Sequence, residues 1–101
     1  MESDNIVKVE IDTEGKLHIK PESVKFPMIY TTATEVHWDT VKQTLFSPIP
    51  GNWTYLEWFS HIIEVVREEC FYRLNLTDKT EWCNVPAALI EQFKKVEEKQ
   101  R

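Results

Sequence analysis

Glu57, His61, Glu64 and Glu68 follow one another at spacings of four, three and four, so a helix across this stretch sets all of them on one face. Two chemistries suit such a face. His61 can act as a general base held by a carboxylate, or it can join Glu57 or Glu64 as a metal ligand. Metal sites draw on at least three protein ligands as a rule, and no other helical stretch of this chain carries a histidine. The pattern is that of a solvated polar face, and no metal or cofactor is expected. A second grouping is His37-x-Asp39 with His18 on another strand. If their strands are adjacent, the three form a small polar cluster; alternation places them on the open side of a sheet as exposed residues. Cys70 and Cys83 have no histidine near them in sequence and no CxxC spacing. Cys70 falls on an apolar helical stripe, where a thiol behaves as a small hydrophobe, and no catalytic residue is assigned.

The locally unusual segment runs from Phe46 to Phe59, Phe-Ser-Pro-Ile-Pro-Gly-Asn-Trp-Thr-Tyr-Leu-Glu-Trp-Phe. Two prolines remove backbone donors and fix φ, so Ser47 to Asn52 reads as a loop. Phe46, Ile49, Trp53, Tyr55, Trp58 and Phe59 give it an aromatic and apolar character outside any sheet pattern. Rigid loops with aromatic anchors build interfaces and ligand grooves; aromatics equally build cores. Trp38, Trp58 and Trp82 are assigned to the core and Trp53 to the surface. The candidate binding set is Phe46, Ile49, Trp53, Tyr55, Glu57 and His61.

The elements that must position these residues follow from period and punctuation. Val7, Val9 and Ile11 alternate with Lys8 and Glu10, then Asp12 to Gly15 turn the chain, then Leu17 and Ile19 alternate with charged neighbours. This is an N-terminal β-hairpin ended by Pro21. Val24 to Tyr30, broken by Pro27, reads as an edge strand, and Thr34 to Trp38 as a further strand. Thr40 to Trp53 is irregular. Thr54-x-x-Glu57 matches a capping box and opens a long helix whose apolar stripe, Leu56, Phe59, Ile63, Val66 and Cys70, is widened by Trp58, Ile62 and Val65. A stripe broader than roughly 100° implies cover on more than one side. Phe71 to Leu76 reads as a strand, Thr77 to Lys79 as a chain reversal, Thr80 to Cys83 as a short strand. A second helix starts near Pro86 with Leu89, Ile90 and Phe93 on its face, followed by a charged, fraying tail from Glu97. The expected fold is α+β, one domain over residues 1–101: an antiparallel sheet of about five to six strands with the long helix packed across it and a C-terminal helix.

The 101 residues include 17 acids and 12 bases, a net charge of −5. Nucleic-acid binding needs a basic face, which this balance does not supply; a basic protein is the better-matched partner. The two glycines, Gly15 and Gly51, are too few for a phosphate-cradling loop. No apolar run approaches the ~20 residues that span a bilayer, and the acidic opening Met1-Glu2-Ser3-Asp4 is unlike a signal peptide. The expectation is a cytoplasmic protein with two free thiols.

The stretches Val36-His37-Trp38-Asp39, Ser47-Pro48-Ile49-Pro50, Tyr55-Leu56-Glu57-Trp58-Phe59 and Trp82-Cys83-Asn84-Val85-Pro86 resemble small bacterial proteins carried on mobile gene cassettes or encoded beside toxins as immunity proteins. That resemblance implies a partner-binding protein without catalysis. The function expected is recognition of a basic protein through the aromatic, proline-rich loop and acidic surface. The alternative is a small-ligand module or weak hydrolase-like enzyme with a pocket between the long helix and residues 46–53. A homodimer joined at sheet edges is a third expectation, motivated by Pro27.

Overall fold

The computed structural model describes residues 1–29 and 35–99. Five strands and two helices follow in the order β1 (Glu2–Ile11), β2 (Leu17–Pro21), β3 (His37–Asp39), β4 (Thr44–Phe46), α1 (Tyr55–Cys70), β5 (Tyr72–Cys83) and α2 (Ala87–Lys99). The sheet order is β3-β4-β2-β1-β5, an α+β fold with α1 against the sheet. All pairings are antiparallel except β1 with β5, which is parallel. Among the described residues no helix is long and apolar enough to cross a membrane.

The hairpin β1–β2 forms as its alternation predicts, and Asp12 makes the turn. Asp12 Oδ1 accepts from the backbone N–H of Glu14 and of Lys16, both at 2.9 Å, and Gly15 takes φ +89°, which glycine reaches without steric cost. The tip is pinned to α1 by the Tyr55 hydroxyl, which donates to the Gly15 carbonyl at 2.8 Å. Burial along β1 departs from strict alternation. Ile6 and Val9 are the residues with no exposure, while Val7 and Ile11 are only half-buried. The pairing explains this: Ile6 faces Pro21 and Lys8 faces Lys20, leaving Val7 as the extra residue of a bulge.

The same bulge marks β5. Ile6 pairs with Leu76 and Lys8 with Glu81, so residues 77–80 are set against the single Val7. Thr77 to Lys79 therefore do not reverse the chain, because both halves of β5 run parallel to β1. Thr80 is the pin: its hydroxyl donates to the Ile6 carbonyl at 2.6 Å and accepts from the Thr77 N–H at 3.0 Å.

Residues 24–29 form no strand, and Pro27 guards no sheet edge; the sheet ends at β3 and β5. Tyr30, Thr34, Gln100 and Arg101, at the limits of three of the expected elements, lie outside the described residues. A hairpin absent from the sequence reading, β3–β4, takes up the first part of the irregular stretch. Asp39 Oδ1 accepts from the N–H groups of Val41 and Lys42 at 2.9 Å, closing its turn. Those N–H groups, that of Lys42 above all, outweigh the opposing effect of burial and hold the Asp39 carboxyl below its ordinary range.

Helix α1 starts in the capping box: Thr54 Oγ1 accepts from Glu57 N–H at 3.2 Å and Glu57 Oε1 from Thr54 N–H at 2.9 Å. Thr54→Ala should lower the unfolding free energy by about 1 kcal/mol, measured by urea denaturation with an unchanged m-value. The broad stripe is covered twice, by the sheet and by α2, burying Trp58, Phe59, Ile62, Ile63 and Val66. Phe93 of α2 is fully buried, and its ring stacks on Phe59 with centroids 4.3 Å apart. The expected fraying tail begins later than its charge suggests. α2 continues to Lys99, and Glu97 is 4% exposed.

Candidate functional site

The six candidate residues divide between two places. Phe46 belongs to β4, not to the loop. It is half-buried, paired with His18 of β2 and His37 of β3, and its ring lies 5.4 Å from His18 and 5.3 Å from His37. Cross-strand pairing on both sides places Phe46 in the sheet and not in the exposed loop. Ile49 and Trp53 are exposed, at 58% and 40%. Tyr55 is half-buried with its hydroxyl committed to Gly15; burial first, then the Asp12 charge, raises its phenol above the ordinary value and keeps it a neutral donor. Glu57 is exposed but spends one oxygen on the helix cap. His61 is half-buried between rings, with its own ring edge-on to Trp53 at 5.0 Å and to Trp58 at 5.9 Å.

Trp53 is the centre of this region. Its ring lies 4.7 Å from that of Trp58, and it stands between two open clefts. One, of 390 Å³, is bounded by the 48–53 stretch, Glu35 and Trp58. The other, of 430 Å³, lies along α1 between Trp53, Leu56, His61, Glu64 and Val96, with Glu57 at its rim. The Pro-bracketed backbone fixes the path of the loop, and the capping box fixes where α1 begins, so Trp53 and Trp58 meet at a set angle of 52°.

Two polar features among the residues lining the first cleft had no sequence signal. Trp58 is 6% exposed, and its indole Nε1 is enclosed with no acceptor among the described residues. A buried donor left unmade costs about 1–3 kcal/mol. Glu35 adopts φ 64°, a left-handed conformation uncommon for a side chain of this kind. It is exposed and sits on the rim of the same cleft.

The second grouping is rearranged. His18 is 3% exposed, not on an open face. Its Nε2 is 2.8 Å from Asp12 Oδ2 and its Nδ1 is 2.7 Å from Thr44 Oγ1. With the ring neutral, Nε2–H donates to the carboxylate and Nδ1 accepts the threonine O–H. Burial works against the Asp12 charge, but the Lys16 N–H, the His18 ring and the Glu14 N–H outweigh it and hold the carboxyl below its ordinary value. An Asp–His–Thr chain has the order of an activated nucleophile. Thr44 is only 4% exposed, and the chain of hydrogen bonds braces β2 against β4. His37 joins the row through Phe46, while Asp39 serves the β3–β4 turn. Sequence reasoning missed Asp12, read only as a turn residue, and Thr44, which comes from β4, 26 positions away, as partners of His18.

The cysteines are free. Burial, reinforced by Glu69, raises the Cys70 thiol above its ordinary value, leaving a poor nucleophile. Cys83 Sγ lies 3.8 Å from Glu10 Oε2. Among the described residues no group of three or more His, Cys, Asp or Glu is arranged to hold a metal ion.

Comparison with known proteins gives a consistent result. No curated protein matches the chain. A solved structure described as "Structure from the mobile metagenome of North West Arm Sewage Outfall: Integron Cassette Protein Hfx_Cass5" is 33% identical, with 97% of this chain and 98% of that chain covered and a TM-score of 0.50. The family model for Integron Cassette Protein Hfx_Cass5 matches residues 4–80, from the third residue of β1 through the Thr80 pin. The resemblance to mobile-cassette proteins thus acquires a definite family: the chain belongs to the Integron Cassette Protein Hfx_Cass5 family.

Proposed function

We propose that this cassette protein is a non-enzymatic binding protein of immunity or accessory type, cytoplasmic, which recognises a basic protein partner through Trp53 and its surroundings. The observation that carries the reading is the position of Trp53: a large aromatic ring, 40% exposed, between two open clefts and beside Ile49 at 58%. Aromatic anchors of this kind carry a disproportionate share of binding energy. Glu35, Glu57 and Glu64 rim the same area, and the chain's net charge of −5 favours encounter with a basic surface. Open, shallow clefts suit a protein surface better than an enclosed small molecule. The hydrolase-like alternative requires an oriented base. Among the described residues His61 has aromatic neighbours and no carboxylate hydrogen-bonded to its ring.

Trp53→Ala should leave the fold intact, because the ring is packed at the surface, and should weaken partner binding at least tenfold, the loss typical of an anchor residue. Tagged wild type, Trp53→Ala and a distant control, Glu91→Ala, are used to capture proteins from the host lysate. A basic protein held by wild type and Glu91→Ala but lost by Trp53→Ala, then reconstituted with purified components, supports the reading. Equal capture by all three removes it. Glu57→Ala is a poor probe, since it also opens the helix cap.

A further inference from the structure

We propose that the cleft between residues 48–53 and Trp58 is an anchor pocket for an arginine side chain of the partner, with the Trp58 indole N–H donating to the carbonyl oxygen of the same segment. This rests on the binding role just proposed for the Trp53 region and specifies what is bound there. Three features of the cleft converge. Its walls include the rings of Trp53 and Trp58, tilted 52° to one another, and a planar guanidinium stacks on indole faces more readily than a compact ammonium does. Glu35 is among its lining residues, and a carboxylate is a planar, bidentate acceptor for the same group. Its wall residue Trp58 holds a donor, the indole Nε1, with no acceptor among the described residues. A peptide segment that brings a cation to Glu35 also brings backbone carbonyls, and one of these meets the orphan donor.

The conformation of Glu35 supports the assignment. At φ 64° the backbone there is one that glycine adopts without cost, yet the position holds a charged side chain. Strain kept at an exposed residue points to a role for the side chain itself. The nitrogen is closed to solvent, so binding requires a small local rearrangement, and the neighbouring Trp53 ring, 4.7 Å from that of Trp58, is the group proposed to move. Gly51, Asn52, Trp53 and Thr54 are all exposed, so the ring can swing without dismantling the core.

The probe is N-acetyl-arginine N-methylamide, titrated into the full chain and followed by the indole N–H signals in ¹H–¹⁵N NMR. Trp58→Phe identifies the Trp58 signal. The expected result is a saturable downfield shift of the Trp58 indole proton, absent with N-acetyl-leucine N-methylamide. Glu35→Gln should weaken the arginine probe about three- to fivefold, the size of a partly exposed ion pair. Glu35→Gly should raise Tm by a few degrees, by relieving the left-handed strain, while weakening the probe to the same extent. A Trp53 signal that moves while Trp58 stays still, or a response equal for the leucine probe, overturns the proposal. If Trp53→Ala abolishes partner capture while Glu35→Gln and the arginine probe have no effect, the arginine assignment fails and the binding role stands. If the partner is captured equally by both variants, both fail.

Discussion

Phe93→Ala should lower the unfolding free energy by about 4 kcal/mol, the middle of the range for removing a buried phenylalanine ring. A domain of this kind has roughly 5–15 kcal/mol in total, so the variant should unfold well below the wild-type midpoint in urea. The size follows from its surroundings. Phe93 has no exposed surface. Its ring stacks on Phe59 at 4.3 Å and 9°, and lies 6.2 Å from Trp82. It is also the one apolar residue of α2 that is completely enclosed; Leu89, Ile90 and Val96 are half-buried. Collapse around the void is limited, because Phe59 is fixed by α1 and Trp82 by its β1 ladder. Val96→Ala should cost much less, about 1 kcal/mol, because the side chain is smaller and half-wet. Equal effects at the two positions would show that α2 is not held through Phe93. Near-UV circular dichroism should report the loss of Trp82 packing together with the helix.

The second large effect is expected at the enclosed polar chain on the other side of the sheet. His18→Ala should cost about 3 kcal/mol: it empties a ring-sized space beside Phe46 and strips Asp12 and Thr44 of their shared partner. Asp12→Asn should cost less, about 1–2 kcal/mol, because the amide oxygen can still accept from the turn N–H groups. Its signature is in acid. The Asp12 carboxyl titrates below its ordinary value when folded. As pH falls below about 4, the unfolded chain takes up that proton first, and stability declines until the folded carboxyl is also protonated. The contribution is complete above the unfolded value of about 3.9. Wild type should therefore lose stability between about pH 4 and pH 2 more steeply than Asp12→Asn. Asp39, lowered by its turn N–H groups, adds to the same limb in both proteins. Urea midpoints measured from pH 7 to pH 2 decide the matter; identical slopes would mean that the Lys16 N–H, the His18 ring and the Glu14 N–H together do not hold the Asp12 carboxyl below its ordinary value. A cycle of Asp12→Asn, His18→Ala and the double variant should show coupling, since the two side chains are in contact.

Local chemistry was legible in the residues themselves. Asp12, Gly15 and the alternation around them are enough for the hairpin, because a turn closes within a few residues. Thr54 and Glu57 are enough for the start of α1, because both halves of a capping box lie within one helical turn. The width of the α1 stripe announced that something besides the sheet covers it, because each apolar face needs a partner. The cassette character and the place of Trp53 outside the regular elements were readable as well.

Tertiary structure alone decided the rest, wherever the deciding partner is far away in the chain. Thr77-Asp78-Lys79 has the composition of a reversal, yet the Ile6 carbonyl, 74 positions from Thr80, holds it as a bulge in a strand parallel to β1. His18 sits where alternation predicts exposure, and is buried because Thr44 and Phe46 arrive on β4. Phe46 itself was drawn into a strand by β2 and β3, and the cleft at Glu35 and Trp58 exists only once the loop folds back over α1. A sequence states the hydrogen bonds and apolar contacts that a segment can make with its near neighbours. Which distant segment completes them depends on packing the whole chain at once, and that choice set both the buried polar chain and the open aromatic site.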